Sequence, residues 1–270
     1  MTIFGWRTVT LALTLFTLLS CFLVLSSLPD NKFHFTVLDV GQGDAILITT
    51  PDNIQVLVDA GPGTNILKPL AEEMSYWDKK IDVLLLTHPD ADHLDGFIPV
   101  LERYNVSLVL HTGVTKDSGT YAKFRELIET KNISNQAVFA GDVVHLGQET
   151  TLQILWPTPQ SLEGSAINET AIAARLSYKD YNFLLTGDIG FPSEAKMVAM
   201  IKPEYLQAEV LKVGHHGSRH SSSTLFLQQV QPQVATISAA ADNRYGHPTP
   251  DALGRLEAVG AKILRTDQHG

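Results

Sequence analysis

Between residues 84 and 96 the chain reads "LLLTHPDADHLDG", with four potential metal ligands, His88, Asp90, Asp92 and His93, within six positions after an apolar run. In an extended segment His88 and Asp90, two apart, point the same way. Asp92 and His93 follow in the turn into a helix, so one short loop supplies ligands to two neighbouring ions. A lone His or Asp at such a place is ordinarily a capping or turn residue. Four at this spacing point to a metal site instead. Farther on, "FLLTGD" sets Asp188 after a strand and a glycine, and "KVGHHGSRHSS" holds adjacent His215 and His216 among glycines and serines. Alone, Asp188 reads as a turn cap. Beside the first motif it is suited to bridge two metals at the separation of roughly 3.5–4 Å used in two-metal hydrolysis. The glycines beside His215 and His216 let the backbone approach a ligand, and an imidazolium there stabilises an oxyanion or a phosphate. "NRYGHPTP" adds His247 in a proline-rich loop. His34, His111, His145, His220 and His269 lack such context and read as structural or surface residues.

Asp59, His88, Asp188 and His215 share a setting: each directly follows an apolar, strand-like run. Side chains leaving strand ends into loops converge on one edge of a sheet, where catalytic groups are commonly placed. The strand-like runs of the first half are "FHFTVLDV", "AILITT", "IQVLVDAG", "IDVLLLT" and "SLVLHTG". Between them the periodicity predicts a helix from about Asn65 to Trp77, with Ile66, Leu70 and Trp77 on one face, and another after Asp92 through "HLDGFIPVLERY". "GTYAKFRELIET" is amphipathic. The second half repeats the mixture with "TLQILWP", "AARLSY", "YNFLLTGD", a helix started by Ser193, "AEVLKVGHHG" and "QVATISAA". A last helix has Thr249 as N-cap, Pro250 in its first turn and Gly260 as its stop. Strands interleaved with helices in both halves predict two mixed sheets packed together, with helices outside.

The 270 residues, 44% of them apolar, suffice for the core of one large domain. Twenty basic against 29 acidic residues give a formal net charge of −9. This argues against a broad duplex-binding surface, which needs a basic footprint, but not against a nucleic-acid substrate held by metal ions. Residues 8–28 carry no charge and follow Arg7, a length that suits a membrane-spanning anchor. A cleaved signal, with Val24 and Ser26 as small-residue positions, and a lipoprotein signal around Cys21 share these ingredients. Arg7 on the short side puts the bulk of the chain outside the cytoplasm. Residues 29–32 read as a linker into a domain at 33–270. The one cysteine, Cys21, lies in the apolar segment, so the folded part has neither disulfide nor thiolate and any metal must rest on His and carboxylates.

Together these motifs resemble the metallo-β-lactamase superfamily and, within it, the extracellular hydrolase domain of the ComEC family of DNA-uptake proteins. The marks are "LDVGQGDAILI" (38–48), "LVDAGPG" (57–63), "THPDADHLDG", "LLTGD", "LKVGHHGS" and "RYGHPTPD". The resemblance runs from about Phe33 to the C-terminus and implies an α/β fold, an αββα sandwich, preceded here by one N-terminal hydrophobic helix. It implies two divalent ions, Mn2+ or Zn2+, in a dinuclear site. His88 and Asp90 would bind the first, Asp92, His93 and His247 the second, and Asp188 would bridge them. Asp59 would orient the histidine-rich loop, and Asn168 stands where many relatives have a further histidine. One of His215 and His216, more readily His215, would face the phosphate. Asp90 replaces the second histidine of the usual His-x-His-x-Asp-His pattern, as is characteristic of this branch. A carboxylate there makes the first site harder and favours manganese over zinc.

The resemblance implies a phosphodiesterase or nuclease that uses a two-metal-activated water, with Asp92 helping to hold or deprotonate it. Its partners would be a phosphodiester, single-stranded DNA being the substrate the family suggests, and the membrane, through the N-terminal segment. Hydrolysis of another ester or amide is an alternative, as is a non-catalytic, membrane-tethered binding module. The sequence indicates no protein partner. ComEC proteins carry many membrane helices that form a channel. This chain has one hydrophobic segment, and is expected to be a stand-alone domain that does not take up DNA alone. A further strand or two is expected after "ILRTDQHG".

Overall fold

The computed structural model describes residues 3–26 and 29–269. Helix α1 (Ile3–Ser26) is exposed over residues 5–19 and 21–24. It is, among the described residues, the one helix long and apolar enough to cross a membrane. The first sheet runs in chain order: β1 (His34–Val37), β2 (Ile46–Thr49), β3 (Gln55–Val58), β4 (Lys80–Leu85), β5 (Asn105–His111) and β6 (Ser134–Ala137). Its first three strands are antiparallel and the rest parallel. The second sheet continues with β7 (Val143–His145), β8 (Thr150–Trp156), β9 (Ala173–Tyr178), β10 (Tyr181–Leu185), β11 (Val210–Lys212), β12 (Val234–Ile237) and β13 (Lys262–Arg265). Here β7 to β10 are antiparallel and β10 to β13 parallel.

Alternation along the strands builds the layers, since successive side chains point to opposite faces. Val56 and Val58 of β3, with Val83 and Leu85 of β4, face inward onto Leu152, Ile154, Ala174 and Leu176 of the second sheet. Leu57 and Leu84 face outward, beneath α2 (Leu67–Glu73), α4 (Phe97–Arg103) and α5 (Gly119–Thr130), through Leu70, Phe97, Val100 and Phe124. The short α3 (Ala91–Leu94) precedes α4. On the far side Leu184, Leu211 and Ala235 pack under Met197, Phe226, Leu227 and Leu256. Those residues belong to α6 (Phe191–Met200), α8 (Thr224–Val230) and α9 (Pro250–Ala258), while α7 (Pro203–Leu206) and α10 (Thr266–His269) are single turns. This is the αββα sandwich expected from the sequence.

Several boundaries differ from the sequence reading. The helix expected to Trp77 ends at Glu73: Met74 is extended, Asp78 N–H donates to the Ser75 carbonyl, and the Asp78 carboxylate accepts from Lys80 N–H. Trp77 therefore projects outward, 74% exposed, instead of sharing the buried face of Leu70. The helix after Asp92 is two helices broken at Gly96. A β-carbon on Gly96 would stand 1.9 Å from the Ala60 carbonyl oxygen, so the absence of a side chain there lets α3 and α4 seat against the loop after β3. Helix α6 starts two residues before Ser193, with Pro192 in its first turn, and the Ser193 hydroxyl donates to the Glu169 carboxylate instead. Strands β6, β7 and β13 were not legible: β6 and β7 are short and largely exposed, without an apolar run.

Candidate metal centre

The ends of β3, β4, β10 and β11 open onto one edge between the sheets. Asp59 follows β3 in a left-handed conformation (φ +54°), its N–H donating to the Leu85 carbonyl. Its carboxylate accepts from Thr87 N–H (2.8 Å), Thr87 Oγ1 (2.7 Å) and His93 Nδ1 (2.7 Å). Since the Thr87 hydroxyl donates to Asp59, it accepts from His88 Nδ1 at 2.9 Å. In the turn after β11, His216 Nδ1 donates to the Ser238 carbonyl at 3.0 Å. His88, His93 and His216 are thus held by Nδ1, which sets the ring orientation and turns Nε2 towards the centre.

All three Nε2 atoms, and Asp188 Oδ1, are buried without a hydrogen-bond partner. Buried polar atoms are rarely left unpaired, and these four face one another. His93 Nε2 lies 3.3 Å from Asp188 Oδ1, and His216 Nε2 lies 3.4 Å from Asp92 Oδ2 and 3.6 Å from Asp188 Oδ2. His88, His93 and Asp188 offer ligand atoms within 4.8 Å of one another, as do Asp92, His93 and His216. Imidazole nitrogens with carboxylate oxygens are the donor set of a divalent transition ion, and the orphaned atoms fit one.

Burial opposes charge throughout, and the carboxylates decide where protons sit. Despite burial, Asp188 and Asp44 carry the His216 imidazole up to about 10, and Asp188 and Asp59 raise His93 well above its ordinary value. Burial and the neighbouring His93 push His88 down to about 4. Asp188 is buried, yet His216 and His93 hold its carboxyl well below the usual range.

The remaining sequence candidates lie around this cluster. Asp90 Oδ2 is 3.7 Å from His88 Nε2, but its other oxygen accepts from Lys116 Nζ at 2.6 Å. His215 Nε2 sits at the rim, 3.8 Å from Asp188 Oδ2 and 3.4 Å from the Asn168 amide nitrogen. His247, expected beside Asp92 and His93, instead packs its ring 5.5 Å from that of His215. Burial and His215 lower its pKa to about 4. His216, expected as a phosphate contact, takes the place next to Asp92 and His93. The turn achieves this by holding both His215 (φ +48°) and His216 (φ +53°) in the left-handed region, which costs about 1–2 kcal/mol per residue. Gly217 makes it possible, because a β-carbon there would lie 2.6 Å from Pro248 Cβ.

Two further residues escaped the sequence reading. Lys212, 1% exposed, pairs with Asp44 at 2.7 Å, and Asp44 Oδ1 lies 3.4 Å from His216 Nδ1. Lys212 and His216 hold the Asp44 carboxyl low in spite of its burial. A lysine inside the apolar run "VLKVG" was the available signal, because a lysine is almost never fully buried without an anion.

Residues 38–241 match the model of the metallo-β-lactamase superfamily. The chain belongs to that superfamily. Among relatives of this metallo-β-lactamase domain are competence proteins of the ComEC family. ComE operon protein 3 of Bacillus subtilis is 29% identical over 89% of this chain and 33% of its own. Competence protein ComA of Neisseria gonorrhoeae is 30% identical over 90% of this chain and 32% of its own. The chain thus spans about a third of the length of these curated relatives. The crystal structure of the metallo-β-lactamase fold protein YhfI from Bacillus subtilis superposes with a TM-score of 0.56 at 13% identity, covering 87% of this chain and 96% of that one. Domains of this superfamily are generally metal-dependent hydrolases, and usually bind divalent ions such as zinc.

Proposed function

We propose that this domain hydrolyses a phosphodiester, outside the cytoplasm, at a centre that holds two divalent ions. The observation that carries the reading is the convergence of His88, His93 and His216 Nε2 with Asp188 Oδ1, all buried and unpartnered. Asp92, His93 and His216 would hold one ion and His88 with Asp90 the other, Asp188 lying between them. Asp90, Asp92 and Asp188 make the set rich in oxygen, which favours a hard ion such as manganese over zinc. Two such ions would supply Lewis acidity and lower the pKa of a water at neutral pH. The carboxylate of Asp92, one-third exposed, is placed to orient that water and accept its proton. His215, half-buried between Asn168 and His247, is placed to donate to an anionic oxygen of the substrate. Lys116, at the Asp90 carboxylate, adds a positive charge. Single-stranded DNA fits the kinship with competence proteins, and the net charge of −9 leaves the ions and these few cations to hold it.

The test is hydrolysis of a chromogenic phosphodiester by the full chain, stripped of metal and then given manganese or zinc. Activity should return, more strongly with manganese, and be absent in Asp188→Ala. Metal binding without turnover of any phosphodiester would move the reading to another ester or amide. Failure to bind metal would leave a non-catalytic binding domain.

A further inference from the structure

Tyr76 and Trp77 form an edge-to-face pair, ring centroids 4.8 Å apart, and both are about three-quarters exposed. Lys79 Nζ lies 5.7 Å from the centre of the Tyr76 ring and 5.1 Å from that of Tyr104. Among the described residues these two rings pack on each other and on a lysine and are otherwise left in water. Their position supplies a partner. Pro29, Asn31 and Lys32 line a shallow cavity together with Ser75 and Tyr76. Pro29 is three residues beyond the end of α1, a stretch of chain that reaches at most about 11 Å whatever its conformation. Helix α1 offers 24 residues, about 36 Å of helix, against a hydrocarbon core of about 30 Å. The aromatic tip is therefore held within reach of whatever surface α1 enters.

Strand direction places the metal centre at the other end. The tip stands at the starts of β3 and β4: the Gln55 side-chain amide donates to the Asp78 carboxylate, and Lys80 follows directly. β1, parallel to both through two antiparallel pairings, likewise begins here at His34. Asp59 and His88 follow the opposite ends of β3 and β4, and six residues of strand separate the two edges by on the order of 20 Å.

We propose that the Tyr76–Trp77 tip rests in the interfacial layer of the membrane that α1 spans, so that the metal centre faces away from the bilayer. Amphipathic aromatic rings and lysines are the side chains enriched at that depth. Lys32 pairs with Asp30 and Lys80 with Asp82, and Glu72, Glu73 and Asp78 line the same cavity, so this face suits a neutral rather than an anionic lipid surface. The inference rests on α1 being retained as an anchor and is independent of the hydrolytic reading.

The chain's three tryptophans provide the test, because Trp6 lies in α1, Trp77 in the tip, and Trp156 is buried at 2% exposure. The full chain is placed in phosphatidylcholine vesicles with or without bromine on the shallow part of the acyl chains. In Trp6→Phe, bromine should remove roughly half of the emission, Trp77 being reachable and Trp156 not, and the loss should vanish in Trp6→Phe/Trp77→Phe. Trp77→Phe, which keeps Trp6, reports on α1 itself. Quenching of Trp6 with none of Trp77 would overturn the proposal, showing an inserted helix and a tip that stands off. So would an absence of quenching at both, or shielding of Trp77 that grows with protein concentration and ignores bromine, which would assign the tip to a second copy. Phosphodiester hydrolysis is read separately in the same samples, so a failed substrate reading leaves the quenching result standing.

Discussion

Three imidazoles acquire one purpose here through what their Nδ1 atoms touch. Asp59 holds His93, Thr87 holds His88 and the Ser238 carbonyl holds His216, and each contact turns Nε2 inward. His216→Ala should therefore lose an ion from the centre, whereas His247→Ala should keep full metal content and lose activity alone. Metal analysis of the two purified variants decides this, and equal metal loss in both would return His247 to the ligand set. The Asp44–Lys212 pair makes a separate prediction. Asp44→Asn leaves a buried ammonium without its carboxylate and should destabilise the fold by about 3–5 kcal/mol, read from the urea midpoint. Asp44→Asn/Lys212→Met, which removes both charges, should recover most of that loss. An Asp44→Asn protein within about 1 kcal/mol of the parent would mean that water or another group satisfies Lys212.

Helices α3 and α4 show how an element boundary serves the site. The bare Cα of Gly96 lets α3 sit against the loop after β3, where His93 reaches Asp59 while its carbonyl accepts from Ala60 N–H. Gly96→Ala should push these loops apart, costing about 1–3 kcal/mol in thermal or urea unfolding and lowering metal content. Unchanged metal content would show that the loops yield elsewhere. This boundary was not legible in the sequence, because an apolar period continues across "HLDGFIPVLERY" and the backbone that requires a glycine at 96 belongs to Ala60, thirty-six positions away. The strands were far more legible, since Val56 to Val58 and Val83 to Leu85 are buried on both faces and read as continuous apolar runs. The ligand loop was legible for the same reason: its four polar groups interrupt such a run. The exchange of places between His216 and His247 was not. It depends on two consecutive left-handed residues, and no side-chain pattern announces those at histidine.

Across the whole molecule, protons and metal ions compete for the same atoms. Below about pH 10 His216 carries a proton when metal-free, and His93 is raised as well, so loading must displace them. Apparent metal affinity should therefore climb with pH from neutrality and level off near pH 10. Adding manganese to weakly buffered, metal-free protein at pH 7.5 should release at least the His216 proton, about one per molecule, followed with an indicator dye. Metal uptake without proton release would mean that Nε2 of both histidines is already bare. The ligands also divide between the halves of the chain: His88, Asp90, Asp92 and His93 leave the first sheet, Asp188 and His216 the second. Neither half alone holds a complete centre. In the proposed location, a chain threaded through the membrane unfolded would arrive without its ions. Its metal would then be chosen after transit by what the receiving compartment contains, so the same polypeptide folded inside and outside the cell would carry different ions with no change of sequence.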